Sequence, residues 1–151
     1  MRAQGLEHAF HVTGAESEAR GAYSRFADHD ADAIVDDEIL QRFAWTLIDV
    51  PSWNPARREE SRGLHFNGPT ILRPEGARAL GALVRAWTDL VRVGPRWIML
   101  NCWSERDDDG EEHVVFISCA RRETTIASLE RLAAVLDRVV EPDQRVLHMG
   151  T

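Results

Sequence analysis

Lysine is absent from this chain, and all 18 of its basic residues are arginine. With the many alanine, aspartate and valine residues, that usage is what a GC-rich coding genome produces, and it points to a bacterial source. It also means that every ion pair uses a planar, forked guanidinium rather than a point-charge ammonium. Cysteine is scarce: there are two, Cys102 and Cys119, and no CxxC. Each sits in an apolar, strand-like stretch, so both are expected to be buried and reduced. No apolar run approaches the roughly 20 residues that span a bilayer. Residues 1–5 lead into polar and acidic positions rather than an apolar signal core, and the expected compartment is the cytoplasm.

Chemical motifs are equally thin. No serine stands in a Gly-x-Ser-x-Gly elbow, and no glycine-rich phosphate loop with lysine occurs. Asp28, Asp30 and Asp32 have the first spacings of a calcium loop, but Ala33 and Ile39 stand where a turn glycine and a bidentate glutamate belong. His8 and His11 are spaced for one helix face but lack further zinc ligands. Neither a metal nor a cofactor is expected.

What is present is a normal globular composition, 44% hydrophobic and 28% charged over 151 residues, enough for one domain with a real core. The net charge of −7 is lopsided: residues 1–50 hold ten acidic and four basic side chains. This balance argues against nucleic-acid binding, which needs a basic footprint, and against an anionic membrane surface.

Along the chain, residues 1–35 read as an acidic N-terminal extension, with a weak apolar stripe suggesting a helix over Ala15–Phe26. Residues 36–151 read as a single α+β domain. Ile39, Leu40, Phe43, Ala44, Leu47 and Ile48 recur at helical spacing, with Asp36 or Asp37 as cap. Residues 51–62 look like a polar connection. From Gly63 the pattern gives a strand broken at Gly68-Pro69, then a helix opened by Pro74 and stopped at Gly94-Pro95. A strand Trp97–Ser104, a turn at Asp109-Gly110 and a strand His113–Cys119 follow. A helix capped by Thr124 or Thr125 and a strand Arg145–Met149 close the chain. The order is βαββαβ, so the expectation is a ferredoxin-like antiparallel sheet with two helices on one face. Alternation puts Ile98, Leu100 and Cys102 on one side of their strand and Trp97, Met99, Asn101 and Trp103 on the other.

Two constellations follow. The hairpin carboxylates Asp107, Asp108, Asp109, Glu111 and Glu112 could enter a basic cleft on another protein, as small toxin-neutralising (immunity) proteins do by placing carboxylates where phosphates would sit. The expected function is therefore a non-enzymatic protein-binding module of the immunity or regulatory kind, monomeric or homodimeric. Its expected partner is another protein, such as a toxin with a basic cleft. The alternative is a small-molecule-binding protein or cofactor-free enzyme, with His65, Asn67, Asn101, Trp103 and His148 converging on the helix-free sheet face.

Overall fold

The structure is a computed structural model that describes residues 6–150, apart from the side chains of 115–117. Among the described residues, eight strands and three α-helices follow one another: β1 (Glu7–Gly14), β2 (Ala33–Asp36), α1 (Asp37–Phe43), β3 (Pro51–Asn54), β4 (Glu59–Arg62), β5 (Pro69–Leu72), α2 (Pro74–Val93), β6 (Trp97–Arg106), β7 (Glu112–Arg121), α3 (Arg122–Asp137) and β8 (Gln144–Met149). Six strands make one antiparallel sheet in the order β2-β1-β8-β5-β3-β4, and β6 and β7 pair with each other in a second.

The α+β class therefore holds, but the ferredoxin-like arrangement does not. The two middle strands of that order, β6 and β7, form a separate ribbon instead of joining β5, and β8 and β5 are flanked by β1 and β3. Strand β1, from the segment read as an extension, pairs along its length with β8 and also with β2. Its alternation is masked because its inward positions include a histidine: His8, Phe10 and Val12 share the face that carries the core. The segment read as a helix over Ala15–Phe26 is two short 3-10 turns, Ala15–Glu18 and Ala22–Phe26, parted at Gly21, whose positive φ of 73° favours glycine. The connection over 51–62 is the β3–β4 hairpin, whose outer strand, Glu59–Arg62, carries the charges that suit an edge. The strand expected at 64–67 is an irregular loop, and β5 starts only at Pro69.

The helices are closer to expectation. Pro74 opens α2 and Gly94 caps its end, and Ala77, Leu80, Val84, Trp87 and Val91 are buried along one stripe. They meet Leu129, Leu132, Val135 and Leu136 of α3 and the inward residues Phe10, Leu72 and Val146 of the sheet. Helix α3 begins at Arg122 with no side-chain cap, so neither Thr124 nor Thr125 caps it, and Thr125 is buried. The opposite face of the sheet is covered by the first 3-10 turns. There Phe26 packs on His11, and Glu18 Oε1 accepts from Arg145 Nε at 2.7 Å and from Arg73 Nε at 2.8 Å. Burial alone would raise the Glu18 carboxyl, but the bonds from Arg73 and Arg145 outweigh it and hold the pKa below the usual value.

Candidate functional site: a protruding ribbon and a buried histidine chain

Ten residues of β6 run against ten of β7, and the ribbon they form emerges between the end of α2 and the start of α3. Its root is pinned by backbone and side-chain bonds. Arg122 N donates to Arg96 O at 2.9 Å, and Arg42 of α1 donates to Met99 O at 2.7 Å. Ser118 donates to Glu38 of α1. The register shifts at Leu100, where two residues of β6 oppose one of β7, so Asn101 pairs with Ser118 after Met99 pairs with Cys119. That bulge overturns the expected faces: Asn101 and Trp103 lie on the same side as Ile98 rather than with Trp97 and Met99.

Much of the ribbon's apolar surface has nothing to pack against. Trp97, Met99, Trp103 and Val114 are all between 51% and 59% exposed. Cys102 and Cys119, expected inside, are both exposed free thiols, because the ribbon stands outside the core that would have covered them.

At the tip, Asp107 folds the turn. Its Oδ1 accepts from the N–H groups of Asp109 and Glu111 at 3.0 and 2.8 Å, and its Oδ2 lies 2.7 Å from His113 Nε2. The bond from His113, helped by those N–H groups, holds the Asp107 carboxyl below the usual range. Glu112 accepts from Ser104 Oγ at 2.5 Å. Asp108, Asp109 and Glu111 carry no side-chain hydrogen bond or ion pair among the described residues. Of the five carboxylates singled out in the sequence, two shape the turn and three present charge.

The five candidate pocket residues do not share one pocket. His65 and Asn67 line a shallow depression of about 390 Å³ with Asn54, Phe66 and Pro69. Asn101 lines a separate one with Glu38, Gln41 and Arg42. Trp103 is on the exposed ribbon, and His148 is fully buried on the helix side of the sheet, next to Val146 in alternation.

His148 belongs instead to a polar chain that crosses three neighbouring strands at one end of the core. His148 Nε2 lies 2.7 Å from His8 Nδ1, and His8 Nε2 lies 2.7 Å from Asp37 Oδ1. Asp37 Oδ2 accepts from Gln41 Nε2 at 2.5 Å. At the other end His148 Nδ1 lies 3.4 Å from Thr70 Oγ1, which accepts from His65 N–H at 2.8 Å. His8, Thr70 and His148 are 0% exposed. The two imidazoles stack at 10°, and Phe66 meets His8 edge-on while Phe10 flanks His148.

Asp37 fixes the first proton of the chain. A carboxylate only accepts, so His8 carries a proton on Nε2. With His8 Nδ1 as acceptor, His148 donates from Nε2 and accepts from the Thr70 hydroxyl on Nδ1. In that arrangement every link points toward Asp37. Burial, then the positive fields of His8 and His65, hold His148 well below the ordinary imidazole value of 6.5. Burial also lowers His11, against the pull of Asp32.

The sign of the resulting pH dependence is definite. Below about 6.5 the unfolded chain takes protons on these histidines while the folded chain does not, so stability falls as pH drops. Urea unfolding midpoints are expected to be level above pH 7 and to decline between pH 6.5 and 5, before carboxylates such as Glu18 add their own loss. A flat profile over that interval would show that His148 is not held neutral.

Sequence spacing suggested a helical pair for His8 and His11 and gave no sign of Asp37 and Thr70 as their companions. The available signal was a histidine in the apolar phase of a strand, at His8-x-Phe10-x-Val12 and Val146-x-His148. Among the described residues no helix is long and apolar enough to cross a membrane. No protein-family model, curated protein or solved structure matches the chain.

Proposed function

We propose that this protein is a non-enzymatic protein-binding module and that the β6–β7 ribbon is its binding element. One observation carries the reading. A ribbon ten residues long on each strand leaves the fold with neither edge paired among the described residues and with Trp97, Met99, Trp103 and Val114 half exposed. Two-stranded hairpins are marginal in water by themselves, and open edges that carry apolar side chains are the surfaces on which proteins add strands or bury aromatics. The tip adds Asp108, Asp109 and Glu111 as carboxylates not engaged within the described fold. These suit a basic surface and speed encounter in a salt-dependent way. That is the chemistry of an immunity-type or regulatory partner, and it disfavours a nucleic acid. The exposed thiols of Cys102 and Cys119 suit a reducing compartment, in keeping with a bacterial cytoplasm. A small-molecule site has less support, since His65 and Asn67 face a shallow depression away from Asn101, Trp103 and His148.

The test is a photo-crosslinking residue placed at Trp103, with exposed Ile48 on the main body as control. A protein adduct is expected from position 103, not from 48, and is expected to weaken when Asp108, Asp109 and Glu111 are replaced by arginine. Equal labelling from both positions, or none from the ribbon, would remove the reading.

A further inference from the structure

We infer that the ribbon's partner is a second copy of this chain, with the two ribbons aligned antiparallel across a twofold axis so that each acidic tip rests on the other's arginine root. The inference rests on the ribbon being the binding element and names its occupant. Its ground is the distribution of charge along the ribbon. The tip carries Asp107, Asp108, Asp109, Glu111 and Glu112 against a single arginine, Arg106, whereas the root carries Arg96, Arg121 and Arg122. The three root arginines meet where β6 begins and β7 ends, and the Arg122 guanidinium donates to Gly94 O and lies 3.6 Å from Glu123. Arg121 lies over the Trp97 ring at 5.3 Å, and Arg122 is tied to the backbone of Arg96. Glu123 stands among them, its carboxyl held below the usual range first by its own backbone N–H and then by Arg122, Arg96 and Arg121.

The spacing matters. Ten residues per strand span about 34 Å, several times the Debye length of about 8 Å at physiological salt. Root and tip of one ribbon therefore do not neutralise each other. A twofold axis is the closed symmetry that makes one surface complementary to itself, and a ribbon negative at one end and positive at the other meets that requirement twice per dimer. The same alignment supplies the edge partner that the ribbon lacks among the described residues. A parallel alignment would set tip against tip.

The experiment uses the full chain and sedimentation equilibrium. The wild type is expected to dimerise. A tip variant, D108R/D109R/E111R, and a root variant, R96E/R121E, are each expected to raise the dimer Kd by about a hundredfold or more through like-charge contact. Mixed one to one, the two variants are expected to recover the dimer, because each positive tip then meets a negative root and each negative tip a positive one. All five positions are exposed, so the fold is kept, and circular dichroism of the separate variants checks it. A monomeric wild type, variants that still dimerise, or a mixture that stays monomeric overturns the second-copy assignment. The crosslink from position 103 separates the two readings: a ribbon adduct with a different protein alongside a monomeric wild type refutes self-association alone. A dimer unaffected by these changes, with no ribbon adduct, refutes both.

Discussion

Alanine at position 148 is expected to cost about 3–5 kcal/mol of folding stability, from the cavity and the stranded polar groups together. His148 is fully buried between Phe10 and His8, so truncation leaves a void the size of an imidazole beside three central strands. It also leaves His8 Nδ1 and Thr70 Oγ1 without the ring nitrogens they bond. A buried acceptor that has lost its partner cannot turn to water, and this separates the site from an apolar core position of the same volume. Asp37→Asn is the informative contrast. An amide can still accept from His8 through Oδ1, and a flip of the Gln41 amide restores the second bond, so the cost is expected to be about 1 kcal/mol. Asp37→Ala and His148→Ala act on one chain of bonds, and their double variant should cost less than the sum of the two. Denaturant unfolding followed by circular dichroism checks all four. A loss below about 1 kcal/mol for His148→Ala would mean that the chain is not a structural unit.

Gly76→Ala is expected to destabilise by about 3 kcal/mol, which lowers Tm by about 10 °C for a chain of this size. A Cβ at Gly76 would collide with the Pro51 carbonyl oxygen, and both groups are backbone, so the first turn of α2 would have to lift off β3. Alanine's better helix propensity, worth about 1 kcal/mol, acts the other way and is too small to compensate. Gly68→Ala supplies the control. Nothing lies within 4 Å of where its methyl group would stand and its φ is not positive, so a change within about 0.5 kcal/mol is expected. Thermal melts decide the matter, and a Gly76→Ala protein that melts with the wild type would place α2 further from β3 than the structure has it.

Much of the secondary structure from Pro69 onward was legible, because its periodicity comes from apolar residues. The stripe of α2 from Ala77 to Val91, the Pro74 start, the Gly94 stop and the turn at Asp109-Gly110 can all be read from residue type and spacing. Strand β1 was not legible, since His8 interrupts its apolar phase and is suited to the interior only by Asp37 and His148, far away in the chain. The hairpin β3–β4 was hidden for a related reason: short edge strands are polar, and polarity alone reads as a loop. In the candidate site, the acidic tip was visible as a run of carboxylates, but the one-residue slip at Leu100 that carries Asn101 and Trp103 to the other side of β6 was not.

By itself, the sequence determined the class of the fold, the long helices and the charge map, all of which follow from local propensity and patterning. Tertiary structure decided which strands are neighbours, because pairing depends on backbone groups that are the same in every residue. It therefore set β1 beside β8 inside the sheet, sent β6 and β7 out as a ribbon, and brought His8, Asp37, Thr70 and His148 from four separate segments into one line of hydrogen bonds.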